Sequence, residues 1–314
     1  MYLDLSASLP QKLLAEENGL LTIQDRSGYT IRKFAGKSRS LEFIDHVTKD
    51  RTAWETLAPH FTVDPQGPAR IDDASYFCHM DPYPAWQEAR RKYDALRQRS
   101  KYLLFQAYGP WEGTWRHRGL TELLMDIAID PDWVREMIHV HVSLLIDTLS
   151  HCITLGMTPD GLFLIDDFGS TKALLFSPAM WRDILQPEYE RLSRFLRGHA
   201  ISFWLHSCGN VSELIPHLID SGLDVLQAIQ VNAGMDIREL IPKYGKKLVF
   251  YGNISATTMS GPIEAVEEEI RSKLTFAREN GGRYIYHSDH SIPPEVTFDR
   301  YCRVMDMVGK YGAA

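Results

Sequence analysis

Cysteine is scarce in this chain: four residues among 314, at positions 78, 152, 208 and 302, with none of the regular spacing of a disulfide framework. Their thiols are therefore expected to be reduced, as in the cytoplasm, and open to a metal. Positive charge is also short. Thirty-four Lys and Arg against 41 Asp and Glu give a net charge of −7, which argues against a nucleic acid held through its phosphates. No uninterrupted apolar run is long enough to span a membrane, and Met1 to Glu17 lacks the basic and apolar regions of a signal peptide, so no membrane partner is expected. No G-x-G-x-x-G opens a helix after a strand, which leaves a dinucleotide site without support. Internal repeats and low-complexity segments are missing as well.

What is present is an ordinary globular composition with a regular alternation. Residues 1–60 stand apart. Leu20 to Gln24 and Tyr29 to Phe34 flank a short Gly-containing loop and read as a hairpin, Ser40 to Ile44 can add a strand, and Thr52 to Leu57 starts a helical turn. This segment is expected to form an antiparallel appendage packed on a larger domain of residues 61–314. There, strand-like runs alternate with helical ones. Ala74 to Cys78 precedes a helix at 84–99, and Tyr102 to Ala107 precedes helices at 121–127 and 131–155, the latter opened by Asp130-Pro131. Gly161 to Ile165 precedes a helix at 179–196. Strands at 201–205, 224–229, 248–251 and 283–286 are each followed by a helix, at 211–221, 237–243, 262–280 and 297–310. Seven strands in this rhythm predict a parallel sheet and an α/β fold of the (β/α)8 TIM barrel type, with an open doubly wound sheet as the alternative.

A barrel gathers its strand ends at one face and builds its site there. The sharpest strand end is Phe203-Trp204-Leu205-His206-Ser207-Cys208-Gly209-Asn210. Side chains alternate along a strand, so His206 and Cys208 project to one side and can share a metal ion, their nitrogen and sulfur donors suiting zinc. A third ligand is sought in Tyr286-His287-Ser288-Asp289-His290, at the end of another apolar strand. Asp166-Asp167 ends the strand at 161–165. That pair can supply a metal ligand, a general acid or base, or a substrate acceptor, or else cap the next turn and pair with a cation. Tyr108, Trp111, Gln230 and Asn253 lie at further strand ends. His139, His141 and His151 are expected to be surface or hydrogen-bonded residues of one helix.

Taken together, several segments resemble the uroporphyrinogen decarboxylase superfamily, and more closely its cobamide-linked methyltransferase branch. They are Leu164-Ile165-Asp166-Asp167-Phe168-Gly169, Phe176-Ser177-Pro178, Leu205 to Asn210, Ile229-Gln230 with Met235-Asp236, Tyr251-Gly252-Asn253-Ile254, Gly261-Pro262-Ile263-Glu264 and Ser291-Ile292-Pro293-Pro294. They run in the family's order over roughly residues 100–312. The resemblance implies a (β/α)8 barrel and a zinc ion held by His206, Cys208 and a later ligand. Where those methyltransferases carry a Cys, this chain has His290. The decarboxylases carry a His near this position too, but they lack the His-Ser-Cys-Gly pattern, and their Arg-Gln-Ala-Gly-Arg-Tyr signature is not found here.

One thiolate and two imidazoles would leave zinc with a formal charge of +1, a stronger Lewis acid toward oxygen than a two-thiolate site. The expected activity is therefore transfer of a methyl group from a small O-methyl donor, a methoxylated aromatic, to a Co(I) corrinoid. No D-x-H-x-x-G motif is present, so the corrinoid is expected on a partner protein. Tyr108, Trp111 and Phe168 are expected to hold the ring, with Gln230, Asn253 and His287 also contacting substrate. Asp166, Asp167 and Asp289 are the expected catalytic carboxylates, as fourth ligand or as partners that orient an imidazole. A corrinoid-to-thiol methyltransferase, another decarboxylase and a non-catalytic tetrapyrrole-binding protein are the alternatives. A homodimer is compatible with all of them.

Overall fold

The computed structural model describes residues 1–36, 41–72 and 83–312. The chain forms two compact units, Met1–Ile165 with Met180–Ser202, and Asp166–Ala179 with Phe203–Ala314. The division expected at residue 60 does not coincide with them.

In the first unit, β1 (Tyr2–Leu3) is followed by an antiparallel sheet of β2 (Lys12–Glu17), β3 (Leu20–Gln24), β4 (Tyr29–Phe34) and β5 (Glu42–His46). The expected hairpin is β3–β4, with Ile23 opposite Ile31. Strand β2 escaped the sequence pattern because all six of its residues are exposed, leaving no apolar alternation to read. Strand β6 (Ile71–Asp72) pairs antiparallel with β1, and β7 (Leu104–Tyr108) runs parallel to both β1 and β8 (Gly161–Ile165). The first strand of the chain thus belongs to the parallel sheet rather than to the appendage. The strand expected at 74–78 lies outside the described residues.

Helices fill the connections. Pro110–Arg118 is a helix that the sequence reading did not assign, with Pro110 at its first position, where a missing N–H costs nothing. Pro131–Thr154 is capped by the Asp130 carboxylate, which accepts from the Trp133 N–H at 3.3 Å. By length and composition this helix is apolar enough to cross a membrane, and half of its apolar window is buried within the protein. The single helix expected at 179–196 is two, Pro178–Ile184 and Gln186–Gly198. Pro187 has no N–H to continue the first helix and instead opens the second.

The second unit holds four parallel strands in register, β9 (Ser202–His206, whose first residue belongs to the first unit), β10 (Val225–Ala228), β11 (Val249–Ile254) and β12 (Tyr284–Ser288). Helices Ile263–Glu279 and Phe298–Gly312 bury Val266, Ile270 and Val304 with Ile254 and Met259. Among the described residues, three parallel strands lie in the first unit and four in the second.

The first unit also contains a buried histidine pair. His117 Nε2 lies 3.3 Å from His141 Nε2, and His117 Nδ1 lies 2.9 Å from Thr48 Oγ1. Trp54 stacks on His117 at 5.3 Å and Phe61 packs edge-on to His141 at 4.7 Å. Burial, with Arg70 adding repulsion, pushes His141 down from 6.5 to about 3. Burial, with repulsion from His141, His46 and Arg118, holds His117 well below 6.5. Both rings are neutral in the native state and protonate first in the unfolded one. Their contribution to stability is thus complete above about pH 6.5 and is lost as pH falls toward the folded values, by up to about 1.4 kcal/mol per pH unit per histidine. The urea midpoint is expected to drop between pH 7 and pH 5, and a constant midpoint over that interval would contradict this account.

Candidate metal centre

Strand β9 delivers His206 at its last position, and the turn after it delivers Cys208. The turn requires Gly209, which has a φ of +81°; a Cβ there would lie 2.3 Å from the Gly169 carbonyl carbon. The close approach brings the 166–170 segment against the turn. The Asp166 N–H donates to the His206 carbonyl at 2.9 Å, and the Asn210 N–H donates to the Ser170 carbonyl at 2.8 Å. The Phe168 N–H donates to Ser207 Oγ at 3.0 Å. Asp167 is thereby held over the turn, its Oδ1 accepting from the Cys208 N–H at 2.7 Å.

Three donor atoms converge there. Cys208 Sγ lies 3.2 Å from His206 Nε2, and Asp167 Oδ1 lies 3.6 Å from that nitrogen; all three ligand atoms fall within 4.8 Å of one another. A tetrahedral zinc ion with ordinary Zn–N, Zn–O and Zn–S bonds holds such donors roughly 3.3–3.6 Å apart. The two spacings from His206 and the nitrogen, sulfur and oxygen types therefore fit zinc, and among the described residues no fourth donor joins the three. The tautomer fits too. His206 Nδ1 donates a short hydrogen bond to Gln227 Oε1, which leaves the Nε2 lone pair directed at Cys208 and Asp167. The His206 and Asp167 side chains keep 21% and 35% of their exposure, so a small molecule can reach them.

The other expected residues have different surroundings. His290 is exposed and stands outside the three-donor cluster. The reason is the anchoring of its turn: Asp289 is buried, with Oδ2 accepting from the Val231 N–H at 2.9 Å and Oδ1 from the Ala256 N–H at 2.8 Å. Ser288 Oγ donates to the His290 carbonyl at 2.7 Å. Asp289 thus ties strand ends together. Asn253 is fully buried with a φ of +62°, and its amide bonds the Ile237 N–H and the carbonyls of Ile229 and Met235 at 3.1, 2.8 and 2.8 Å. That occupies the group expected to meet substrate. Gln230 supports the turn from the other side, its Oε1 accepting from the Gly209 N–H at 2.8 Å. Phe168 and Trp111 are fully buried, and Asp166 is buried. Within the first unit, the Tyr108 ring lies under the Arg116 guanidinium at 3.7 Å. His287 is half-buried, its Nδ1 donating to the Ser288 carbonyl at 2.7 Å.

Residues 102–311 match the family model of uroporphyrinogen decarboxylase (URO-D). The chain belongs to that family. Its fold class is the family's TIM barrel, here with the antiparallel β2–β5 sheet near the N-terminus. Among solved structures, a methyltransferase from Methanosarcina mazei aligns over 91% of this chain and 76% of its own, at 16% identity and a TM-score of 0.61. A 3-keto-D-glucoside 4-epimerase from E. coli, YcjR, aligns over 69% of this chain and 94% of its own, at 9% identity and a TM-score of 0.38, too low to carry an argument. Comparison with curated proteins gives no match.

In this family member the residue that sequence reasoning missed is Gln227. Its signal was visible, a lone polar side chain inside the buried strand Val225-Leu226-Gln227-Ala228. Two outcomes are expected of zinc analysis on purified protein. Asp167→Ala, His206→Ala and Cys208→Ala lose the metal, whereas His290→Ala keeps it; loss in His290→Ala would restore that residue as a ligand. Gln227→Leu, which leaves the tautomer unfixed, is expected to weaken zinc affinity about 10–100-fold in a chelator competition.

Proposed function

We propose that this protein is a zinc-dependent methyltransferase that moves a methyl group from a small O-methyl donor, a methoxylated aromatic compound, to the Co(I) corrinoid of a separate protein. The observation that carries the reading is the convergence of His206 Nε2, Cys208 Sγ and Asp167 Oδ1. Membership of the URO-D family and the fold shared with the Methanosarcina mazei methyltransferase support it. When bound, zinc supplies a Lewis acid for the ether oxygen, and the partner's reduced corrinoid supplies the nucleophile that takes the methyl carbon.

The chain's own residues do the rest. Gln227 keeps the proton of His206 on Nδ1, so that Nε2 stays a donor. The Cys208 N–H steadies the carboxylate of Asp167, and Gln230 steadies the turn that carries the thiol. The Asp167 carboxylate and Cys208 thiolate together balance the charge of a divalent ion. This makes the site formally neutral, not +1 as expected with His290. Neutrality favours a second reading, transfer from the corrinoid to a thiol. The oxygen donor points back toward the first, since a carboxylate gives up less electron density than a second thiolate would and leaves a stronger Lewis acid. Decarboxylation of a polycarboxylate needs cations, and β9–β12 contain no Lys or Arg. Reduced thiols belong to the cytoplasm, where we place the activity.

The test is demethylation of 2-methoxyphenol with free cob(I)alamin as acceptor, followed by catechol release, beside the reverse arm of methylcobalamin with a thiol. Turnover in the first arm, lost at least about a hundredfold in His206→Ala and Cys208→Ala, is expected. Full activity in metal-free protein would end the zinc reading, and turnover in the thiol arm alone would replace the donor.

A further inference from the structure

The rings expected to seat the substrate, Trp111 and Phe168, are buried in packing. A different set of rings is accessible beside the donor cluster. Trp204 lies two residues before His206 on β9, on the same face of the strand. Gln227 on β10 pairs in register with His206 on one side and with Tyr251 of β11 on the other. His206, Gln227 and Tyr251 therefore form one row on one face of the second unit.

Trp204 reaches over β10 to Tyr251, with ring centroids 5.8 Å apart and planes at 84°. Tyr251 in turn meets His287 at 4.7 Å and 69°. All three rings are half-buried, unlike the closed core rings. Burial holds the Tyr251 phenol above its ordinary value, so it remains a neutral hydroxyl. His287 keeps its proton on Nδ1 for the Ser288 carbonyl, leaving Nε2 as an acceptor.

We infer that Trp204, Tyr251 and His287 are the specificity-determining wall of the site, seating an uncharged methoxylated aromatic ring beside His206. The inference rests on the function proposed above and names its substrate class by charge. A flat ring extends the edge-to-face series that the three side chains already form. A carboxylated ring is disfavoured by the charge of this face. None of the four strands offers a cation, and Asp167 adds negative charge at the mouth of the cluster.

The experiment is a binding titration of the purified full-length, zinc-loaded protein with 2-methoxyphenol, with 4-hydroxy-3-methoxybenzoate and with tetramethylammonium. The wild type is expected to bind 2-methoxyphenol at least about tenfold more tightly than the benzoate. Trp204→Leu and Tyr251→Leu are expected to raise the Kd for 2-methoxyphenol at least about tenfold at unchanged zinc content, while Tyr251→Phe, which keeps the ring, retains binding. Equal binding of the benzoate overturns the inference without any variant having to fold. So does an unchanged Kd in both leucine variants, or displacement of 2-methoxyphenol by tetramethylammonium. Methyl transfer from methanol to cob(I)alamin by the wild type, with no binding of the ring, would sink the wall and leave the methyltransferase standing. Ring binding that is sensitive to Trp204→Leu, with no methyl transfer from any donor, would sink the methyltransferase alone.

Discussion

The hydrogen bond from His206 Nδ1 to Gln227 Oε1 is the constraint on which the site depends. An imidazole has two nitrogens of equal standing until something chooses between them. Here the choice is made by a strand neighbour held by the pairing of β9 with β10, where His206 and Gln227 are register partners. The sheet itself thus directs the lone pair of Nε2. Cys208 and Asp167 then have a donor to converge with, at 3.2 and 3.6 Å.

Around that bond, the strand ends are joined by side chains that accept or donate to backbone. Asp289 takes the amides of Val231 and Ala256, Gln230 takes that of Gly209, and Asn253 bridges Ile237, Ile229 and Met235. Lys273, buried against Glu269 at 2.6 Å, donates to the Asn253 carbonyl, and Glu269 accepts from the Ser255 N–H at 3.0 Å. A buried lysine is tolerable because a carboxylate and a carbonyl replace its water. These polar residues look catalytic in a list of strand ends, but most of them hold loops in place. Among the groups still partly exposed, His206, Cys208 and Asp167 are the three whose donor atoms converge.

The electrostatics follow from the same selection. Two anionic donors and one neutral one suit a divalent cation without surplus charge, and the neighbouring strands add aromatic surface without Lys or Arg. Such a face receives neutral ligands better than anionic ones.

Periodicity alone determined much of this protein. The strands at β3, β4, β7 and β8–β12 and most of the helices follow from apolar patterns and from proline and aspartate caps, because those signals are local. The pairing of His206 with Cys208 was also local, two residues apart at one strand end. Where the signal was not local, the sequence was silent or misled. Strand β2 has no buried face, β1 is two residues long, and nothing near Tyr2 announces its pairing with Gln106. The third donor was decided by tertiary structure. Asp167 and His290 each lie two residues beyond a strand, but the packing of Gly209 on Gly169 turns the first toward His206, and the anchoring of Asp289 turns the second to solvent. A pattern of residue types records which groups a chain carries; which of them meet depends on contacts made across dozens of residues.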